Sequence, residues 1–120
     1  MQSKYNNRKV RCWGETFDSM LECERYKYLK ALEQQKVISN LRKQVKYILL
    51  PSQKDSKTQK TIEREITYLA DFVYEKGSQT IVEDVKGMKT DVYKIKRKLM
   101  LYFHGIRIKE VTKETKTWAV

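Results

Sequence analysis

Asp71, Asp84 and Lys86 are the residues of this 120-residue chain whose types and spacing could do chemistry. Asp71 interrupts an otherwise apolar run, Ile66 to Tyr74 (ITYLADFVY). An isolated buried carboxylate is costly, so it must be paired, metal-bound or placed at an opening. Asp84 and Lys86 lie two apart in the following run, Ile81 to Gly87 (IVEDVKG), and on a strand they point to one face. The turn Glu75 to Ser78, carrying Gly77, makes the two runs hairpin partners and can bring Asp71 beside them. Two converging carboxylates suit Mg²⁺, a hard cation that takes oxygen ligands. A neighbouring ammonium would orient or help deprotonate a water and offset phosphoryl charge. Spacing alone also fits a plainer arrangement, an Asp84–Lys86 surface ion pair with Asp71 satisfied by another cation, because D-x-K triplets are common by chance.

The elements that must position these residues are legible in the same way. Ser19 to Lys36 reads as a helix, with Leu21, Tyr28, Leu29 and Leu32 as its apolar stripe. Val45 to Leu50 reads as a strand ended by Pro51, and 51–60, without one large apolar residue, as an exposed mobile loop. Ile66 to Tyr74 is apolar on both faces and reads as a central strand, with Gln79 to Lys86 beside it. Thr90 is placed to cap a helix through about Phe103, and Gly105 to end it. Ile106 to Val111 alternates like a last strand. The expected fold is α/β, a single mixed sheet in the order α-β-β-β-α-β, forming one domain over 1–120 with a basic arm (1–11) and a tail (112–120).

Charge narrows the function class. The chain carries 26 Lys+Arg against 15 Asp+Glu, a formal +11, which points to a polyanionic partner. Its 40% hydrophobic content is too high for a disordered tail. Eleven of the fifteen acids fall in 12–35 and 61–85, whereas 1–11, 36–60 and 86–109 are basic. Acids gathered inside a basic surround fit a metal-dependent nuclease better than a protein that coats nucleic acid, and they fit ordinary helix and strand surface charge equally well. For phosphate contacts the candidates are Lys94, Arg97 and Lys98 on the second helix, Lys89 at its entry, and Arg42 and Lys43 in the earlier basic segment. Cys12 and Cys23 form no framework or CxxC zinc pattern, so free thiols in a reducing compartment are expected. No Walker-type loop, dinucleotide fingerprint, signal peptide or span of about 18 apolar residues is present, which excludes a nucleotide cofactor and a membrane from the expectation.

The motifs together carry a resemblance. Asp71…Asp84-Val85-Lys86 resembles the signature of the PD-(D/E)xK nuclease superfamily, and the element order resembles its restriction-endonuclease-like core. Lys4-Tyr5, Phe17-Asp-Ser19-x-x-Glu22, Arg25-Tyr26, Gln44, Tyr68-x-Ala-Asp-Phe72 and Val82-Glu-Asp-Val-Lys-Gly87 look like a family of small phage and prophage proteins of unknown function assigned to that superfamily. The similarity runs from about residue 4 to residue 111, and Ala70 stands where a proline often precedes the first acid. It implies Asp71, Asp84, the Val85 carbonyl and Glu22 as ligands of Mg²⁺ (or Mn²⁺), with Lys86 as the catalytic lysine. Ser19-x-x-Glu22 is also a capping-box pattern. Glu83 points away from Asp84 on a regular strand, Gln44 reads as a strand-edge residue, and His104 as a helix-end residue.

The expectation is therefore a Mg²⁺-dependent endodeoxyribonuclease, phage- or prophage-encoded, acting in the bacterial cytoplasm. At this length there is no room for a separate recognition domain, which favours a substrate read by shape. Branched DNA of the Holliday-junction kind leads by analogy, placing the protein in DNA recombination, and symmetric cutting would need a homodimer. The alternatives are a general or nicking DNA nuclease and a non-catalytic nucleic-acid-binding module.

Overall fold

A computed structural model describes residues 9–115. Most of the expected basic arm, up to residue 8, and the tail from residue 116, with Trp118, lie outside the described residues. A small antiparallel hairpin comes first, β1 (Val10–Cys12) and β2 (Glu15–Phe17). Trp13 and Gly14 turn it at φ 51° and 81°, the primed geometry that matches strand twist. It packs Phe17 on Tyr26 of α1 (Met20–Gln34). Ser19 caps α1, its Oγ accepting the Glu22 N–H at 3.1 Å.

β3 (Ser39–Leu50) leads into a second hairpin, β4 (Gln53–Lys54) and β5 (Thr61–Glu63). β6 (Ile66–Lys76) returns along β3 and turns at Gly77 (φ 61°) and Ser78 into β7 (Gln79–Val85). α2 (Asp91–His104) then crosses over to β8 (Lys109–Val111). The central sheet has the order β3-β6-β7-β8, antiparallel except for the parallel β7–β8 pair. A parallel pair needs a crossover, and α2 supplies it. Thr90 Oγ1 accepts the Tyr93 N–H at 3.1 Å, and Gly105 closes the helix at φ 65°.

Two helices cover opposite faces of this mixed α/β sheet. Phe17, Cys23, Tyr26 and Leu29 pack with Phe72 and Tyr74 on the α1 side. Tyr68, Ala70, Val73 and Val82 pack with Tyr93 and Met100 on the α2 side. Strict alternation would put Ala70 and Phe72 on one face. They lie on opposite faces, so the strand slips at Asp71. Gln44, opposite Asp71 on β3, stands at φ 53°, with the same pairing register on both sides of it.

The structure corrects the sequence expectations at several points. Segment 51–60 is exposed, but it belongs to an ordered hairpin whose turn is built on Asp55. β3 begins at Ser39 rather than Val45, because an edge strand tolerates the charged run that hides it. The last strand is shorter than expected, Lys109–Val111. The buried face of α1 is Glu22, Cys23, Arg25, Tyr26 and Leu29 rather than a leucine stripe, while Leu21 is only partly buried. Cys12 and Cys23 lie side by side, Cα atoms 6.1 Å apart, a proximity that sequence spacing did not suggest. The β1–β2 turn folds Cys12 back over the helix, which linear spacing does not reveal.

Arg25 is the polar centre of the α1 contact. Its guanidinium holds Glu83 of β7 at 2.8 and 2.6 Å, with both side chains almost fully buried, and Tyr74 also donates to Glu83. Removing one partner of such a pair strands a buried charge, typically costing about 3–5 kcal/mol. Arg25→Met is therefore expected to lose about that much in urea denaturation, and Tyr74→Phe about 1.5–3 kcal/mol. A loss below about 1 kcal/mol for Arg25→Met would show that Glu83 needs no cation.

Candidate active site

The site lies where β6 and β7 part. Their ladder ends at Phe72↔Glu83, and β7 continues against β8 alone, with Asp84 opposite Glu110. Asp71 spans the opening: its Oδ2 accepts the Val85 N–H at 2.8 Å and its Oδ1 faces Gln44 Nε2 at 3.4 Å. Asp84 is buried, and its Oδ2 lacks a hydrogen-bond partner, although Lys86 Nζ stands 3.3 Å away as an ion pair. The Tyr68 hydroxyl is likewise buried without a partner. These groups line an open cleft of about 300 Å³, with Thr90 and Lys96 of α2 on its far wall.

Glu22 enters from α1. Its carboxyl is buried and lines an adjoining opening with Lys9, Asp18, Gln44 and Leu69. The sequence pattern allowed a capping role or a site role. Ser19 does take the Glu22 backbone N–H, while the side chain turns toward the acids.

Burial holds all three acids above their ordinary range, and repulsion from neighbouring acids adds to it at Asp71 and Glu22. Burial, then the charge of Glu22, pushes Asp71 up to about 8, against the opposing pull of the Val85 N–H. Burial, then Asp18 and Asp84, takes Glu22 to about 7. Asp84 is raised by burial, opposed by Lys86. Acids this uncomfortable in their charged form mark a site that gains from a cation. Among the described residues, no three His, Cys, Asp or Glu side chains stand close enough to form a ready-made metal cage. The Asp71–Asp84 pair, with an Asp84 oxygen that makes no hydrogen bond, still offers the hard donors that Mg²⁺ takes, with water completing its shell.

Four of the six expected phosphate-binding cations have partners within the fold. Lys89 and Arg97 both hold Glu110 at 2.9 Å, Arg42 holds Glu75 at 3.1 Å, and Lys43 holds Glu15 at 2.9 Å while covering the Phe17 ring. Lys94 and Lys98 are exposed. Lys96, on the same basic helix and about one turn after Tyr93, lines the cleft. Sequence reasoning undervalued Gln44 and Tyr68, and overlooked Glu110. Burial works against ionising Glu110, but hydrogen bonds from Tyr93, Lys89 and Arg97 outweigh it and hold the carboxyl at about 2. Glu83, expected to face away from Asp84, does so and serves Arg25. His104 Nε2 meets the Ile48 carbonyl at 2.7 Å, a helix-end role as expected.

Sheet, helices and cleft define a small mixed α/β domain with an acidic site beneath a basic helix. A family model described as "Protein of unknown function (DUF1064)" matches residues 2–118, and the chain belongs to that family. No curated protein and no solved structure matches it.

The raised carboxyls set a pH dependence. Folding lifts Asp71 from 3.8 to about 8 and Glu22 from 4.5 to about 7. Between those limits the folded chain holds more protons than the unfolded one, so stability falls as pH rises through the window. Asp71→Asn is expected to lose less stability than the parent between pH 5 and pH 8.5 in urea melts, and an equal loss would show an ordinary carboxyl. Gln44→Gly, which removes the strain of a left-handed side-chain position, is expected to raise stability by about 1 kcal/mol in the same assay. A loss there would mean that the Gln44 side-chain contact outweighs its backbone cost.

Proposed function

We propose that this protein is a Mg²⁺-dependent endonuclease of the PD-(D/E)xK type that hydrolyses DNA phosphodiesters. The observation that carries the reading is the opening between β6 and β7. There Asp71, Asp84 and Lys86 come together, one buried carboxylate oxygen of Asp84 making no hydrogen bond and facing the Lys86 ammonium at 3.3 Å. Asp71 and Asp84 would hold the cation, with the Val85 carbonyl and Glu22 as the further ligands implied by the resemblance. When bound, Mg²⁺ lowers the pKa of a water and stabilises phosphoryl charge.

The protein's own groups do the rest. The Val85 N–H and Gln44 fix the orientation of the Asp71 carboxylate. Lys86 lies 3.3 Å from Asp84 and 4.5 Å from the centre of the Tyr93 ring, which keeps its ammonium at the cleft. From there it can donate to a phosphate oxygen or to the attacking water. Lys96 and the exposed Lys94 and Lys98 offer positive charge on α2 for the DNA backbone. Branched DNA is the preferred substrate in this reading by analogy, cut symmetrically by a homodimer.

The test is incubation of purified protein with four-way junction, linear duplex, single-stranded DNA and RNA, in Mg²⁺ or EDTA. Cutting is expected in Mg²⁺ only and fastest on the junction. Asp84→Asn and Lys86→Ala are expected to lower the rate by about a hundredfold or more while binding persists. Binding without cutting in either Mg²⁺ or Mn²⁺ would leave a nucleic-acid-binding module instead. Equal cutting of junction and duplex would leave a general nuclease.

A further inference from the structure

The β3–β6 ribbon outruns the rest of the sheet. β7 pairs with β6 only from Phe72 onward, so from Ala70 back to Ile66 the ribbon has two strands. α2 covers one side of it through Val45, Tyr47, Leu49, Tyr68 and Ala70. The other side begins at Gln44 and Asp71 and continues through Lys46, Ile48, Thr67 and Leu69, none of which joins the cluster packed under α1. Leu69 is 51% exposed and Ile48 46%. Among the described residues, a bare sheet face thus runs directly out of the proposed catalytic cleft.

Past Pro51 the ribbon continues as the β4–β5 hairpin, whose strand residues are all exposed. No apolar core holds this arm. Asp55 does: its carboxylate accepts the Lys57 and Thr58 N–H groups at 2.9 Å, and its own N–H reaches the Lys60 carbonyl at 2.9 Å. The tip then displays Lys54, Lys57 and Lys60 against that one acid. Lys60 is eleven residues from Asp71, at most about 36 Å at about 3.3 Å per residue, or about ten base pairs of DNA.

We infer that the bare face of this ribbon and its lysine-tipped hairpin cradle a duplex DNA arm flanking the bond to be cut. The inference rests on the nuclease reading and adds the surface that carries the substrate. A duplex suits it better than a single strand. Single-strand sites stack bases on aromatic rings, whereas the ribbon's Tyr47 and Tyr68 are turned under α2. The bare face carries no ring, and the cations stand at its far end, where they meet a phosphate backbone.

The test measures binding of a fluorescent 30-base-pair duplex in EDTA across a salt series. Lys57→Ala/Lys60→Ala is compared with Lys27→Ala/Lys36→Gly, which removes the same charge from α1 and the turn after it. Lys36 stands at φ 62°, where glycine fits. The hairpin pair is expected to weaken binding about fivefold or more at 100 mM salt and to lower the salt slope by about two. The control pair is expected to change affinity less than twofold. Equal weakening by both pairs, or none by the hairpin pair, overturns the cradle while leaving a protein that binds and cuts DNA. Failure of the parent protein to bind duplex or junction at all overturns the nuclease reading with it.

Discussion

The buried contact between Arg25 and Glu83 is the constraint on which the arrangement depends. Neither charge could be buried alone, so α1 and β7 are held together by their need for each other. Two consequences follow from helix and strand geometry. Glu22 lies three residues before Arg25, on the same side of α1, and so is carried toward the sheet with it. Asp84 follows Glu83 and must face the opposite way, into the cleft. Two consecutive acids thus have different fates: one is neutralised by a buried guanidinium, the other keeps an oxygen in the cleft that makes no hydrogen bond among the described residues and has the Lys86 ammonium 3.3 Å away.

A similar division of charge shapes α2. Glu110 gathers Lys89, Arg97 and the Tyr93 hydroxyl, fastening the helix to β8 at the register position opposite Asp84. Cations that looked available for phosphate are therefore part of the framework. Those left at or near the cleft are fewer, Lys86 and Lys96 inside it and Lys94 and Lys98 on the exposed helix surface. The +11 balance is consistent with a polyanionic partner, but it overstates how many side chains are free to meet one.

This explains what the sequence could and could not convey. α2 was legible because Thr90 and Gly105 mark its ends locally, and β6 because burial on both faces leaves a run that is apolar but for Asp71, with β7 following from the short turn after it. The β4–β5 hairpin was not, since its stability comes from hydrogen bonds to Asp55 rather than from apolar burial. The slip at Asp71 was equally hidden. It depends on Gln44, a residue from another strand whose backbone conformation no propensity would suggest. The proximity of Asp71, Asp84 and Lys86 could be read from hairpin logic. The entry of Glu22 was implied only by the resemblance, because helix packing sets it.

The turn between β6 and β7 has an unexpectedly large say in this design. Only Gly77 and Ser78 separate the two strands, and the left-handed backbone at Gly77 keeps the link that short. One residue added there and absorbed as a slip of β7 along β6 would turn every β7 side chain over. Asp84 would then be presented to the guanidinium under α1, and Glu83, one methylene longer, to the cleft. The length of a solvent-exposed loop thus decides which of two adjacent acids is scaffold and which faces the cleft.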